Sequence, residues 1–207
     1  MKTLRFGLAL VAAAAIGLPS QLGAQTVIGA KAGINLANVS FSYGDLSASA
    51  DSRTGFVGGA FAQFGLGSPL FIQPEVLYSS KGSKASDDFG ESFELSLDYL
   101  EIPILLGAAF PIENSALKPM IFAGPSVGFL LSCDSDGLDC KDETKSVDFG
   151  LAFGGGIQYA LENLSLFLDG RYNLSLTNAD DTEDSLDISA KNRAWQFMAG
   201  VGFPVGG

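Results

Sequence analysis

Histidine is missing from all 207 residues. That absence removes Ser-His-Asp and Cys-His nucleophilic chemistry and most zinc sites, because imidazole is the usual base in the first two and a usual ligand in the third. Cysteine is nearly missing as well, with only 2 residues, Cys133 and Cys140, too few for a thiolate cage. Cations are scarce, 12 Lys and Arg against 23 Asp and Glu, for a net charge of −11. Nucleic-acid binding needs Lys and Arg against phosphate, and no basic patch interleaved with aromatics occurs, so no nucleic-acid partner is expected. Beyond Leu18 there is no long apolar run, whereas a helical membrane span needs about 20 apolar residues. No motif asks for a cofactor or a metal.

What the chain does have begins with a leader. Lys2 and Arg5 precede an apolar run from Phe6 to Leu18, Pro19 and Ser20 break it, and Leu22-Gly23-Ala24 offers small residues for cleavage. That order predicts a secretory signal peptide over residues 1–24 and one mature domain over 25–207. Losing the two leader cations takes the net charge to −13. Export also places Cys133 and Cys140 where thiols oxidise, so a disulfide closing a short loop is expected.

The dominant pattern is period-two alternation, the mark of a strand with two unlike faces. Leu164, Leu166, Leu168, Tyr172, Leu174 and Leu176 share one face. Ser165, Asp169, Arg171, Asn173 and Ser175 share the other, with Phe167 the exception. The same alternation runs through 147–161 and 194–203, and less cleanly through 27–37, 55–64, 70–80, 95–110 and 118–131. In 95–110 the apolar parity changes near Tyr99, which either a β-bulge or a strand rising out of the membrane would produce. This predicts eight strands, each long enough for the about 9–11 residues of a tilted crossing. The connections alternate long and short. Segments 38–52, 82–94, 132–146 and 177–191 are long, and 65–69, 111–117 and 162–163 are short. An up-and-down transmembrane barrel with periplasmic turns and extracellular loops has that rhythm. The long segments hold most of the acids, including Asp45, Asp87, Asp88, Glu91, Asp142, Glu143, Asp180, Asp181, Glu183, Asp184 and Asp187, so the negative charge is expected outside the cell.

The less apolar face is mostly Gly, Ala, Ser and Gln with isolated charges, a poor coat for a solvated sheet but a good filling for a narrow lumen. An all-β, eight-stranded antiparallel transmembrane barrel in the outer membrane is therefore preferred over a soluble periplasmic lipocalin-like binding barrel, in which the faces would be reversed. Phe64, Phe71, Tyr78, Phe110, Phe129, Tyr159, Tyr172, Trp195 and Phe203 lie near strand ends, as interfacial girdles require. The inward set is Lys31, Asn35, Gln73, Glu75, Glu101, Lys118, Asp148, Gln158, Asp169, Arg171, Asn173 and Gln196. Glu75 and Glu101, on adjacent strands, admit a paired-carboxylate site in which like charges raise one pKa. The favoured reading is an interior polar network of Lys31, Glu75, Glu101, Asp148, Asp169 and Arg171, because an unpaired buried charge is costly. The segment 133–140 is acidic enough for Ca²⁺ but lacks the twelve-residue loop pattern, and its Asp-Gly is ordinary turn chemistry. Gly154-Gly155-Gly156 lies inside a strand with no following helix, so it reads as curvature or a bulge, not a phosphate loop.

The order of short motifs resembles the PorT-like outer-membrane β-barrel family. The chief matches are Gln73-Pro74-Glu75-Val76-Leu77-Tyr78-Ser79 with Lys81-Gly82, and Tyr99-Leu100-Glu101-Ile102-Pro103-Ile104-Leu105-Leu106. Gly33-Ile34-Asn35-Leu36, Arg53-Thr54-Gly55-Phe56, Ala123-Gly124-Pro125, Asp148-Phe149-Gly150, Arg171-Tyr172-Asn173 and Gly200-Val201-Gly202-Phe203 support them. The resemblance covers the mature chain. It implies a small barrel in the outer membrane of a Gram-negative cell, and it ties the family loosely to protein secretion. Phe203 is similar to the terminal aromatic that barrel-insertion machinery reads, although four residues follow it here.

Three functional classes stand against one another. A structural or interaction barrel would present acidic loops to an unidentified protein partner, with membrane lipid and lipopolysaccharide around it. A narrow pore or secretion accessory comes second, since an eight-stranded lumen is usually too full for passage. A hydrolase or acyltransferase comes last, having no histidine, and the chain is expected not to be an enzyme.

Overall fold

The computed structural model describes residues 26–43, 46–49, 51–86, 92–141, 145–177 and 188–205. The expected leader and most of the loop acids lie outside these residues. Ten strands follow one another: β1 Thr26–Tyr43, β2 Leu46–Ser49, β3 Asp51–Gly67, β4 Leu70–Ser86, β5 Ser92–Ala109, β6 Leu117–Ser135, β7 Leu138–Asp139, β8 Val147–Ala160, β9 Ser165–Ser175 and β10 Ile188–Val205. Eight of them form the wall, in the order β1-β3-β4-β5-β6-β8-β9-β10 with β10 returning to β1, while the short β2 and β7 pair with the hairpin ends of β1 and β6. Every pairing is antiparallel. Closure runs from Thr26 opposite Val205 to Tyr43 opposite Ile188. A closed sheet leaves no edge, the condition for a β-structure in hydrocarbon, where an unsatisfied backbone group costs several kcal/mol.

The turns at one end are tight. Gly67, with φ 101°, ends β3 in a backbone region that side chains avoid, and Ser68-Pro69 complete the reversal into β4. At the other end the hairpins are longer, and much of what the sequence presents as loop is strand. β1 runs to Tyr43, β4 to Ser86 and β6 to Ser135, while β5 starts at Ser92 and β10 at Ile188. Loop-like composition there does not mark a loss of pairing.

Alternation decides the two surfaces. Outward residues form an apolar belt, among them Leu168 at 61% exposure, Ile121 at 60% and Phe153 at 47%. Exposure of that kind to water is untenable on so many large side chains but natural against lipid. The faces are therefore those of a membrane barrel and not of a lipocalin. Ser80, Asp98 and Ser132 mark where the outward face of β4, β5 and β6 turns polar. Two of the sequence-based details change. Phe71 points inward, 3% exposed, and belongs to the interior rather than to a girdle. On β5, the odd positions Leu97, Tyr99, Glu101 and Leu105 are all buried, so that strand keeps its parity. The irregularity sits on β6 instead, where Asp98 faces Ser132, Tyr99 faces Leu130, and Leu131 is the extra residue.

The interior is layered. At the turn end Val27, Phe61, Phe71, Leu105, Met120, Phe122, Ala152 and Phe167 form an apolar floor. Toward the hairpin end Leu97, Tyr99, Leu130 and Cys133 form an apolar ceiling, with Leu95 and Cys140 packed on it. Phe167, the odd one out in its strand's pattern, is thereby explained: it meets Phe61 edge-on at 5.0 Å between ring centroids. The parity change near Tyr99 has the same cause, because Leu95, Leu97 and Tyr99 fill the lumen while Leu100, Ile102 and Ile104 face lipid.

An Arg at Leu168 should lower stability by about 2–4 kcal/mol, the cost of a cation on the lipid face near the bilayer centre. The same substitution at Leu138, 73% exposed in the β6–β7 hairpin, should stay within about 0.5 kcal/mol. Urea unfolding in lipid vesicles separates the two, and equal costs would mean that the belt does not face lipid.

Candidate functional site

Between floor and ceiling the wall turns its charged side chains inward. Lys31 comes from β1, Glu75 from β4, and Asp169 and Arg171 from β9, two apart on one face. The Glu75 carboxylate accepts at Oε1 from Lys31 Nζ at 2.9 Å and from Gln73 Nε2 at 2.7 Å, and at Oε2 from Arg171 Nη1 at 2.7 Å. Lys31 also binds Asp169 Oδ2, and its ammonium lies 4.8 Å from the centre of the Phe61 ring in the floor. Gln63 Nε2 donates to Gln73 Oε1 at 3.0 Å, extending the set toward the turns.

A second ion pair lies nearer the hairpins. Lys81 of β4 bonds Glu101 of β5, and its ammonium is 5.3 Å from the centre of the Tyr99 ring in the ceiling. Gln196 of β10 joins the two groups. Its Oε1 accepts from Arg171 Nε at 2.8 Å, and its Nε2 donates to Glu101 Oε2 at 3.3 Å and to Ser79 Oγ at 3.4 Å. Asn173 Nδ2 reaches Glu101 Oε2 at 3.4 Å, and Asn35 Nδ2 donates to Ser79 Oγ at 2.9 Å. Lys31, Arg171 and Lys81 thus face Glu75, Asp169 and Glu101, and the assembly is electrically neutral. Neutrality matters because the six groups are at most 6% exposed, and a lone buried charge costs several kcal/mol.

Glu75 and Glu101 do not share a site. Glu101 stands opposite Leu77 in the ladder, and each carboxylate is held by its own cation. Asp148 is half-buried on β8, takes a hydrogen bond from Ser175 Oγ, and borders a small cleft with Lys81, Glu101 and Asn173. Gln158 lies lower, bonded to Ser165 Oγ at 3.1 Å, and Lys118 stands opposite it at the turn end. Lys81 is the member that the sequence pattern hid. It falls just past the strand expected over 70–80, yet it continues the odd-numbered inward series Gln73, Glu75, Leu77, Ser79, and that parity was the available signal.

The glycine triplet answers to the same network. A Cβ at Gly154 would meet the Arg171 Cβ at 2.6 Å, and one at Gly156 would meet Asp169 Oδ1 at 2.7 Å. Both glycines leave room for the charged side chains of the next strand. At the hairpin end, Cys133 and Cys140 form a disulfide with Cα atoms 5.1 Å apart. It closes the β6–β7 hairpin, whose Asp136-Gly137 turn has φ 52° and 84°, the left-handed pair of a two-residue hairpin. Asp134 Oδ1 accepts from the Gly137 amide at 3.0 Å, and among the described residues no group of three potential metal ligands occurs.

Residues 21–181 match the model of the outer membrane protein beta-barrel domain family. The chain belongs to that family. This outer-membrane barrel is similar in fold to Neisserial surface protein A (TM-score 0.55, 21% identity), over 87% of this chain and 97% of that one. It is also similar to the outer membrane protein OprG from Pseudomonas aeruginosa (TM-score 0.53, 14% identity), over 89% and 98%. No curated protein matches it in sequence. Family and fold place the chain in the outer membrane.

Arg171→Met in this outer-membrane barrel strips Glu75 of one partner and should cost about 3–5 kcal/mol, as breaking a buried pair does. Adding Glu75→Gln to it should cost less than the sum of the single changes, by about 1 kcal/mol or more. A double-mutant cycle in urea would expose an uncoupled pair as simple additivity.

Proposed function

We propose that this barrel is a closed, non-enzymatic scaffold whose wall holds extracellular hairpins in place for a protein partner. One observation carries the reading: three cations and three acids are bound to one another across the lumen, between an apolar floor and an apolar ceiling. An ion entering from either side would have to cross an apolar layer and then break a neutral network, both costly steps. The carboxylates that would serve as acid or base are spent on their cations, and the chain has no histidine. At the hairpin end, the disulfide and the two-residue turn hold the β6–β7 tip in one shape.

Within the family, we place the chain nearest the PorT-like barrels. Two of the motifs behind that resemblance contribute to the network, Gln73-Pro74-Glu75 through Gln73 and Glu75, and Arg171-Tyr172-Asn173 through Arg171 and Asn173. The partner would then be a protein at the cell surface or in a secretion assembly. During assembly the insertion machinery would engage β10, where Phe203 is 53% exposed on the lipid side.

In planar bilayers the purified barrel should give no steady conductance, while Glu75→Gln with Arg171→Met should produce openings by emptying the centre of the network. Steady conductance from the wild type would overturn the closed-lumen reading. Cross-linking in cells from position 138, at the hairpin tip, should capture one defined protein. A smear of unrelated products would remove the scaffold reading.

A further inference from the structure

The wall of β8, β9 and β10 is unlike the rest of the belt. Phe153, Tyr172 and Trp195 stand directly opposite one another across three strands, on the outward face. Their rings lie 5.6 Å and 5.0 Å apart, centre to centre, and Phe197 stacks on Trp195 at 6.3 Å. Tyr and Trp in such a row favour the membrane interface, where the ring is apolar and the O–H or N–H is wet.

Above the row is a cation. Arg193 shares the face of Trp195, two residues nearer the hairpin end, roughly 7 Å along the strand. Its Nε is shielded from solvent and has no hydrogen-bond partner among the described residues. Below the row is a dent. Gly155 and Gly170 face each other across β8 and β9, both on the outward side. A Cβ built at Gly155 would meet the Met120 carbonyl oxygen at 3.0 Å and Ile121 Cγ2 at 3.9 Å, and one at Gly170 only the Phe197 ring at 3.4 Å. Packing of the barrel does not require the glycine at Gly170. Gly154 and Gly156 are needed by Arg171 and Asp169 and Gly155 by the close approach of the Met120 carbonyl, and on the outward face Gly155 leaves no side chain between Phe153 and Ile157. The opposite wall offers the reverse chemistry, since Asp98, bonded by Ser132 Oγ at 2.9 Å, marks its upper margin.

We infer that this face binds one phosphate-bearing glycolipid of the outer leaflet. Arg193 takes the phosphate, the Phe153–Tyr172–Trp195 row supports the headgroup boundary, and an acyl chain lies in the Gly155–Gly170 dent. A guanidinium with a dry, unengaged N–H is suited to a phosphate oxygen, because charge-assisted bonds of this type are short and strong. The occupant is a lipid and not a soluble phosphate, because the aromatic row and the dent lie on the lipid-facing wall. The inference rests on the membrane location and is independent of whether the lumen is closed.

Trp195 is the chain's single tryptophan, so its fluorescence reports on this face alone. The barrel would be reconstituted in phosphatidylcholine vesicles with a small fraction of a bis-phosphorylated glycolipid carrying brominated acyl chains. The reference is the same glycolipid without its phosphates. Quenching by the phosphorylated lipid should exceed the reference by about five-fold, the enrichment one cation at an anionic surface supports. Arg193→Gln should abolish that preference. Gly170→Leu, which fills the dent, should weaken quenching while keeping the preference. A heat-dependent gel shift shows that each variant is folded, and the comparison of the two lipids on the wild type needs no variant. Equal quenching by both lipids, or a preference that survives Arg193→Gln, would overturn the site. Unchanged quenching in Gly170→Leu would remove the acyl-chain groove from it.

Discussion

Everything in this molecule depends on the pairing of β10 with β1. Hydrocarbon offers no partner to a backbone amide, so the sheet must close on itself before it can rest in a membrane. Closure at eight strands fixes a lumen only wide enough for side chains to fill. That narrowness then dictates the interior: glycine where two strands press together, apolar layers at floor and ceiling, and charge only where charge meets its opposite. The outward belt follows from the same geometry, because each inward residue commits its two neighbours on the strand to the lipid.

The two surfaces of the wall therefore have different freedom. Inside, Lys31, Glu75 and Arg171 fit one another within hydrogen-bond distance, and a change at one is felt by the others. Outside, a large apolar residue is exchangeable for another with little cost. Departures from monotony there carry information. The row of rings on β8–β10, with an arginine above and two glycines below, is such a departure, and so is Asp98 on the far side.

Much of this was readable from residue order alone. A strand with one lipid-facing side and one packed side writes period-two alternation into its sequence, and long–short connections write the up-and-down topology. The inward set was readable for the same reason, from Lys31 through Gln196. What alternation could not show is which layer of the lumen a residue occupies. Leu97 and Tyr99 are apolar and inward, so they looked like a change of parity on β5, and Phe71 looked like a girdle residue. Lys81 was hidden by composition: Lys81-Gly82-Ser83 is polar and small, the signature of a loop, although there it continues a strand whose outer side has reached water. The leader was a reading of residues 1–24, for which the described residues offer no counterpart.

The buried ion network also bears on the order of events during assembly. Glu75 lies 44 residues from Lys31 and 96 from Arg171, while Lys31 and Asp169 are 138 apart. A partial chain lacking β9 keeps the Lys31–Glu75 and Lys81–Glu101 pairs, but Lys31 then lacks Asp169 and Glu75 lacks Arg171, so a half-built sheet holds its lumen charges with fewer partners. Completion of the last strands thus supplies the lumen ions with their remaining partners. The salt bridges that span β1, β4 and β9 thereby couple the filling of the lumen to the closing of the wall.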